Sequence, residues 1–225
     1  SKSIVECNER KEVGIKEYVK DANKYVTVPA VSRKLRVKVE ERLKKLIDYS
    51  NTTEFNYMEI NNSKVGVIVS GMCFNFAKEV FKENVSYLKL GFTFPMPDEK
   101  IKEFSSEVDK IYIIEENDGF IEEHVKSLSI ECYGKNTFPP YGEMTPDIIR
   151  EAVTGKTFEH LDINEELLIP RPPTFCPGCP HRGLFYELGK RKDIVVAGDI
   201  GCYTLGFAPP YNAMDFVVCM GASLS

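Results

Sequence analysis

The sequence has no apolar run approaching the roughly 20 residues that a bilayer-spanning helix needs. It opens on no basic-then-apolar leader either, so neither a membrane protein nor a secreted one is expected. Basic residues are in no excess: Lys and Arg number 29 against 34 acids, for a net charge of −5 and a pI of about 5.4. That balance removes the basic stripe by which nucleic-acid binders are recognised. The cluster Arg33, Lys34, Arg36, Lys38 is offset by Glu40 and Glu41 and reads as a solvated helix face. Tryptophan is absent, which excludes nothing. The seven cysteines are odd in number and widely spread, which argues against a disulfide framework and for a reduced, cytoplasmic setting. No internal repeat or low-complexity tract is present.

What remains is enough to fold. Hydrophobic residues make up 43% of 225, sufficient for one large domain or two small ones. Tyr25–Val28 is a short β-like run ended by Pro29. Leu35, Val39, Leu43, Leu46 and Ile47 recur at helical spacing over 32–49, an amphipathic helix closed by Asn51-Thr52-Thr53. A strand–helix rhythm then runs over 64–130. Strands are read at 65–69, 87–90 and 111–114; helices are read through Phe74, Ala77, Val80 and Phe81, through Ile101, Phe104 and Val108, and over 119–128. Such alternation implies a parallel sheet covered on both faces. Glu115 and Glu116 close the third strand, where functional carboxylates often sit, and Asn117 or Asp118 is placed to cap the next helix.

Residues 132–175 read as a Pro-rich linker with one short helix, capped by Thr145, begun by Pro146 and ended by Gly155. The domain boundary is placed here. A second α/β unit follows over 176–225: a helix carrying Leu184, Phe185 and Leu188 that ends near Gly189, then strands at 193–197 and 215–219. The first residue is Ser1, and Met220–Ser225 stops where a helix is due, so the chain is read as a piece of a longer one.

The sharpest local signal is Cys176-Pro177-Gly178-Cys179. Two thiolates two residues apart can bind one metal centre. Pro and Gly between them favour a tight turn that presents both sulfurs together. Three readings stay open: a metal or cluster pair, a redox dithiol, and an inert turn. Cys202, after Gly201 at a strand end, is placed either to reach the same centre or to be a small buried residue. Gly198-Asp199-Ile200-Gly201 is either a backbone cradle for a phosphate or ring, or a plain strand-ending turn. Met220-Gly221-Ala222-Ser223 suits a diphosphate at a strand-to-helix handover, or ordinary close packing. His181 is placed either to contact a phosphate or substrate charge or to cap a helix, and Arg182 beside it would add an anion contact. Cys7, Cys73 and Cys132 have no partners at ligand spacing and are read as structural.

Four blocks in order carry a resemblance: Cys-Pro-Gly-Cys-Pro-His-Arg at 176–182, Gly-Asp-Ile-Gly-Cys-Tyr-Thr-Leu-Gly at 198–206, Pro210–Asp215, and Cys219–Ser223. Residues 173–223 resemble the thiamine-diphosphate domain of indolepyruvate:ferredoxin oxidoreductases. Through Gly91–Pro97 and Ile113–Glu116, residues 51–131 look like that family's transketolase-C-like domain, and 1–50 look like the tail of its pyrimidine-type domain with a connecting helix. The resemblance implies an α/β architecture, a transketolase-C-like parallel-sheet domain followed by the first part of a thiamine-diphosphate domain. It implies ferredoxin-dependent oxidative decarboxylation of arylpyruvates to aryl-acetyl-coenzyme A. The cofactors it implies are thiamine diphosphate, Mg2+ and 4Fe–4S clusters, with coenzyme A as substrate and a smaller beta subunit and ferredoxin as partners.

Carried onto this chain, Cys176, Cys179 and Cys202 hold a cluster or line the cofactor pocket. Gly198, Asp199, Ile200, Gly201, Tyr203, Met220, Gly221, Ala222 and Ser223 contact the thiamine cofactor, and His181 is catalytic. The family's Gly-Asp metal and diphosphate motif belongs beyond residue 225, so this piece alone is expected to be inactive. A non-redox thiamine-dependent decarboxylase or carboligase, and a metal-stabilised interaction module with Cys176 and Cys179 on zinc, are the alternatives.

Overall fold

A computed structural model describes residues 7, 9–61, 63–156 and 164–221. The chain divides into two compact units, Ser1–His160 and Leu161–Ser225.

The first unit is built on four strands: β1 (Asn56–Glu59), β2 (Val65–Ser70), β3 (Ser86–Leu90) and β4 (Lys110–Ile114). Their order is β1-β3-β2-β4, with β2 parallel to both β3 and β4 and β1 antiparallel to β3. Side chains alternate between faces along each strand. Val67, Val69, Tyr87, Tyr112 and Ile114 enter one core cluster, while Ile68, Leu88, Leu90, Ile111 and Ile113 enter the other. Helices cover both faces. Cys73, Phe74 and Ala77 of α3 (Cys73–Phe81) close the first cluster. Ile101 and Phe104 of α4 (Asp98–Glu107), with Ile121 and Val125 of α5 (Phe120–Ser127), close the second. The parallel α/β architecture read from the strand–helix rhythm is therefore the one observed. Clearance is small at Gly66, where an added Cβ would stand 2.8 Å from the Phe104 ring.

Two helices precede the sheet: the short α1 (Ala22–Tyr25) and the long α2 (Pro29–Thr52). The strand expected at 25–28 does not form. Pro29 occupies the first helical position, where its missing N–H costs nothing, so it begins α2 instead of ending a strand. β1 has no counterpart in the sequence reading. It is held as an edge strand by the buried Asn56 amide, which donates to the carbonyls of Ser50 and Phe92 and accepts from the Phe92 N–H.

The stretch expected as a linker contributes to this first core. Phe138, Met144 and Ile149 are all at most 2% exposed, and α6 (Pro146–Thr154) packs on α3. Its ends follow the sequence signals: Thr145 accepts from the Ile148 N–H at 3.3 Å, and Gly155 stops the helix in the left-handed conformation.

Among its described residues the second unit has one α-helix, α7 (His181–Lys190), and two two-residue parallel strands, β5 (Ala197–Gly198) and β6 (Phe216–Val217). The expected strands at 193–197 and 215–219 are cut to these two rungs. Val195 and Val218 are 74% and 72% exposed, so no packing supports further pairing, and isolated two-stranded sheets are marginal. Helix α7 ends at Lys190, next to the expected end near Gly189. A Cβ on Gly189 would stand 1.8 Å from the Tyr211 carbonyl oxygen, so the glycine makes room for the 208–213 loop. Among the described residues, no helix is long and apolar enough to cross a membrane.

Candidate functional site

The Cys176–Cys179 segment folds as its composition demands. The Cys179 N–H donates to the Cys176 carbonyl at 3.1 Å, with Pro177 and Gly178 between them and Gly178 at φ +74°. This is a hydrogen-bonded turn in which only glycine sits without strain at the third position. It leads directly into α7 through Pro180. Cys176 is exposed, and Cys179 is half-buried against the cluster of Phe175, Phe185 and Ala213.

The turn rests on an aromatic cluster. Phe175, 2% exposed, stacks on Phe185 at 5.6 Å and meets Tyr211 edge-on at 5.2 Å. His181, the first residue of α7, places its ring 4.8 Å from Tyr203 and 6.1 Å from Phe175. Such contacts orient an imidazole by packing. The Arg182 side chain donates to the carbonyls of Phe175 and Cys176. Its Nε and one Nη are therefore engaged with the backbone, not held for the anion contact read from the sequence.

Beyond the carboxyl end of β5 lies a cleft of about 290 Å³ lined by Leu184, Phe185, Leu188, Val196–Asp199, Tyr203 and Met214. It gathers Gly198, Asp199 and Tyr203 from the sequence-derived set. Gly198 is buried, and a Cβ there would stand 2.5 Å from the Met214 sulfur. Ile200 and Gly201 follow on the exposed turn, which is closed by Thr204: its hydroxyl donates to the Asp199 carbonyl at 2.9 Å and accepts from the Gly201 N–H at 3.3 Å. Cys202, exposed, begins the short 3-10 turn Cys202–Phe207. Met220 and Gly221 are exposed after β6, and Ala222 and Ser223 lie outside the described residues.

The donor set can be tested against a metal centre. Cys176 and Cys179 stand at the sequence spacing of a ligand pair on one ion. Among the described residues, however, no three His, Cys, Asp or Glu side chains form a group that could hold a metal, so Cys202 does not complete a set of three with the pair.

In the first unit, Cys73 and Cys132 are 3% and 5% exposed, and burial pushes both thiols up to about 11, as befits packing residues. Above the carboxyl ends of β2 and β4 is a cavity of about 400 Å³ bordered by Ser70, Thr93, Glu115–Asp118, Phe120 and Ile121. The chain passes from one side of β2 to the other here, the usual place for a crevice in an open α/β sheet. Glu115 is the group that caps α5, accepting from the N–H groups of Ile121 and Glu122 at 2.8 and 3.0 Å, in place of the expected Asn117 or Asp118. Burial raises its pKa, against the pull of those two N–H groups and Lys135.

The relatives of this α/β chain are oxidoreductase subunits. The chain is 36% identical over 248 residues to the indolepyruvate oxidoreductase subunit IorA of Methanothermobacter marburgensis, covering 99% of this chain and 40% of that one. The IorA of Methanothermobacter thermautotrophicus is 34% identical over 230 residues, covering 91% of this chain and 37% of the relative. The chain is a member of this IorA family and spans about two fifths of the length of these relatives. No protein-family model matches it. A chain of the 2-oxoglutarate:ferredoxin oxidoreductase of Magnetococcus marinus, solved with 2-oxoglutarate, coenzyme A and succinyl-CoA, covers 57% of this chain and 23% of its own. Its TM-score of 0.41 at 16% identity is too slight a likeness to bear on fold or function.

Proposed function

We propose that the chain serves ferredoxin-dependent oxidative decarboxylation of arylpyruvates of the indolepyruvate class, as part of a cytoplasmic enzyme with a smaller beta subunit. The observation that carries this reading is the likeness to IorA subunits along 99% of the chain. In this reading residues 51–131 are the transketolase-C-like domain, following the tail of a pyrimidine-type domain in 1–50. Residues 132–175 connect to 176–225, the first part of a thiamine-diphosphate domain.

Thiamine diphosphate with Mg2+, when bound, supplies the electron sink for decarboxylation, and 4Fe–4S clusters carry the electrons away while coenzyme A accepts the acyl group. The residues of this chain bind and orient. Gly198, Asp199 and Tyr203 border the cofactor from the β5 cleft. Ile200 and Gly201 continue that border along the turn that Thr204 closes. Met220 and Gly221 offer backbone to the diphosphate, and Ala222 and Ser223 belong to the same motif on the strength of the family resemblance alone. His181, braced by the rings of Tyr203 and Phe175, faces substrate charge. Cys176 and Cys179 supply two thiolates, and Cys202 belongs to the same chemistry on the strength of the family resemblance alone. Because a set of three is not assembled among the described residues, no electron step is assigned to individual sulfurs.

The test is anaerobic reduction of ferredoxin by the complete two-subunit enzyme supplied with indolepyruvate and coenzyme A. Turnover that requires all three is the expected result. Decarboxylation to the aldehyde with no need for an electron acceptor would overturn the redox assignment.

A further inference from the structure

We propose that Arg182 is the positioning residue of the Cys176–Cys179 pair, tying both ends of the turn to the head of α7 so that two sulfurs are set before any metal arrives. This rests on the reading of the pair as a metal-binding one. Three bonds from one residue make the tie. Its Nε donates to the Cys176 carbonyl at 3.0 Å, its Nη2 to the Phe175 carbonyl, and its backbone N–H to the Cys179 carbonyl at 3.2 Å. Arg182 thus grips the residue before the turn, the first residue of the turn and the last.

The surroundings leave the turn little else to do. On one side Phe175 is fixed by stacking on Phe185 and by the Tyr211 edge. On the other the chain enters α7. Between them Pro177 has a fixed φ and Gly178 holds its left-handed conformation. The backbone ordering that metal binding would otherwise require is already complete, which is how preorganisation strengthens binding. A planar guanidinium can hold two neighbouring carbonyls at once, whereas a Lys ammonium on its flexible stem lacks that fork. The role also explains why the guanidinium faces backbone oxygens and not an anion.

The probe is phenylarsine oxide, whose trivalent arsenic binds two thiols held close together. It would be titrated into the reduced, chelator-treated full chain, with capture mapped by mass spectrometry to the peptide carrying Cys176 and Cys179. We expect one arsenical on the pair, unchanged capture in Cys202→Ser, and loss of capture in Cys176→Ser. Arg182→Ala should weaken capture by about 10- to 100-fold, the range for lost outer-shell support, with no matching fall in melting temperature. Arg182→Lys should recover part of the loss.

Capture by Arg182→Ala at wild-type strength, with Cys176→Ser inactive, overturns the clamp and leaves the pair intact. Failure of the wild type to exceed Cys176→Ser overturns the metal-binding pair and the clamp with it. Should Arg182→Ala not fold, Arg182→Lys decides: weakened capture supports the clamp, and wild-type capture sinks it.

Discussion

The two units of this chain solve the same packing problem with very different resources. The first covers a four-stranded sheet on both faces, and most of its strand residues are fully buried. Among its described residues the second has three buried hydrophobic ones, Phe175, Phe185 and Ala213, around two strands of two residues each. The rich core belongs to the unit without candidate ligands, and the sparse one carries the cysteine turn, His181 and the cleft. Local hydrogen bonds, a turn and a helix head build the site there, because burial does too little of it.

The contrast can be broken most forcefully at Phe104, 0% exposed under the sheet of the first unit. Phe104→Ala should cost about 3–5 kcal/mol in urea unfolding followed by far-UV circular dichroism; a cost near zero would mean that this core is not close-packed. In the second unit the vulnerable point is backbone clearance. Gly189→Ala puts a methyl 1.8 Å from the Tyr211 carbonyl oxygen. It should destabilise that unit by about 1–3 kcal/mol and speed amide exchange over 208–213, with exchange in β2 unchanged.

A smaller effect is expected at Thr145, whose hydroxyl caps α6. Thr145→Ala should cost about 1 kcal/mol, with exchange faster in the first turn of α6.

The slightest effect concerns pH. Glu122 is 5% exposed; burial works to raise its pKa, but Lys126 and the Lys135 N–H prevail and hold it below the ordinary glutamate value of 4.5. Its folded pKa is depressed, so its contribution to stability is complete above about pH 4.5 and is lost as pH falls through the lower folded value. Glu115 runs the other way, its raised pKa making it a cost as pH climbs past the unfolded value. Glu122→Gln should therefore flatten the acid limb of a stability–pH curve, and an unaltered limb would refute the assignment.

Much of the first unit was legible from one-dimensional pattern. The apolar runs at 65–69 and 111–114 became β2 and β4 within a residue at their ends, and the Thr145–Gly155 signals framed α6. β1 was not legible, since Asn56-Tyr57-Met58-Glu59 has no apolar alternation and owes its place to Asn56 bonds that span 36 residues. The Pro-rich stretch near 138–149 reads as a linker because nothing local announces that Phe138 and Ile149 have a core to enter. In the second unit the Cys-Pro-Gly-Cys turn was readable because Pro and Gly dictate it. The role of Arg182 was not, because which oxygens a long side chain finds depends on how the chain returns over it.

Short-range chemistry settles what neighbours in sequence can settle: the alternation of strands and helices, the helix caps, the cysteine turn and the family to which the chain belongs. Through-space contact settled the rest. It decided that Glu115 caps α5, that Gly189 yields to a carbonyl, that Arg182 binds backbone, and that the two last strands stop after two rungs. Each of those outcomes turns on which atoms are present within a few ångströms, and chain-distant segments supply them.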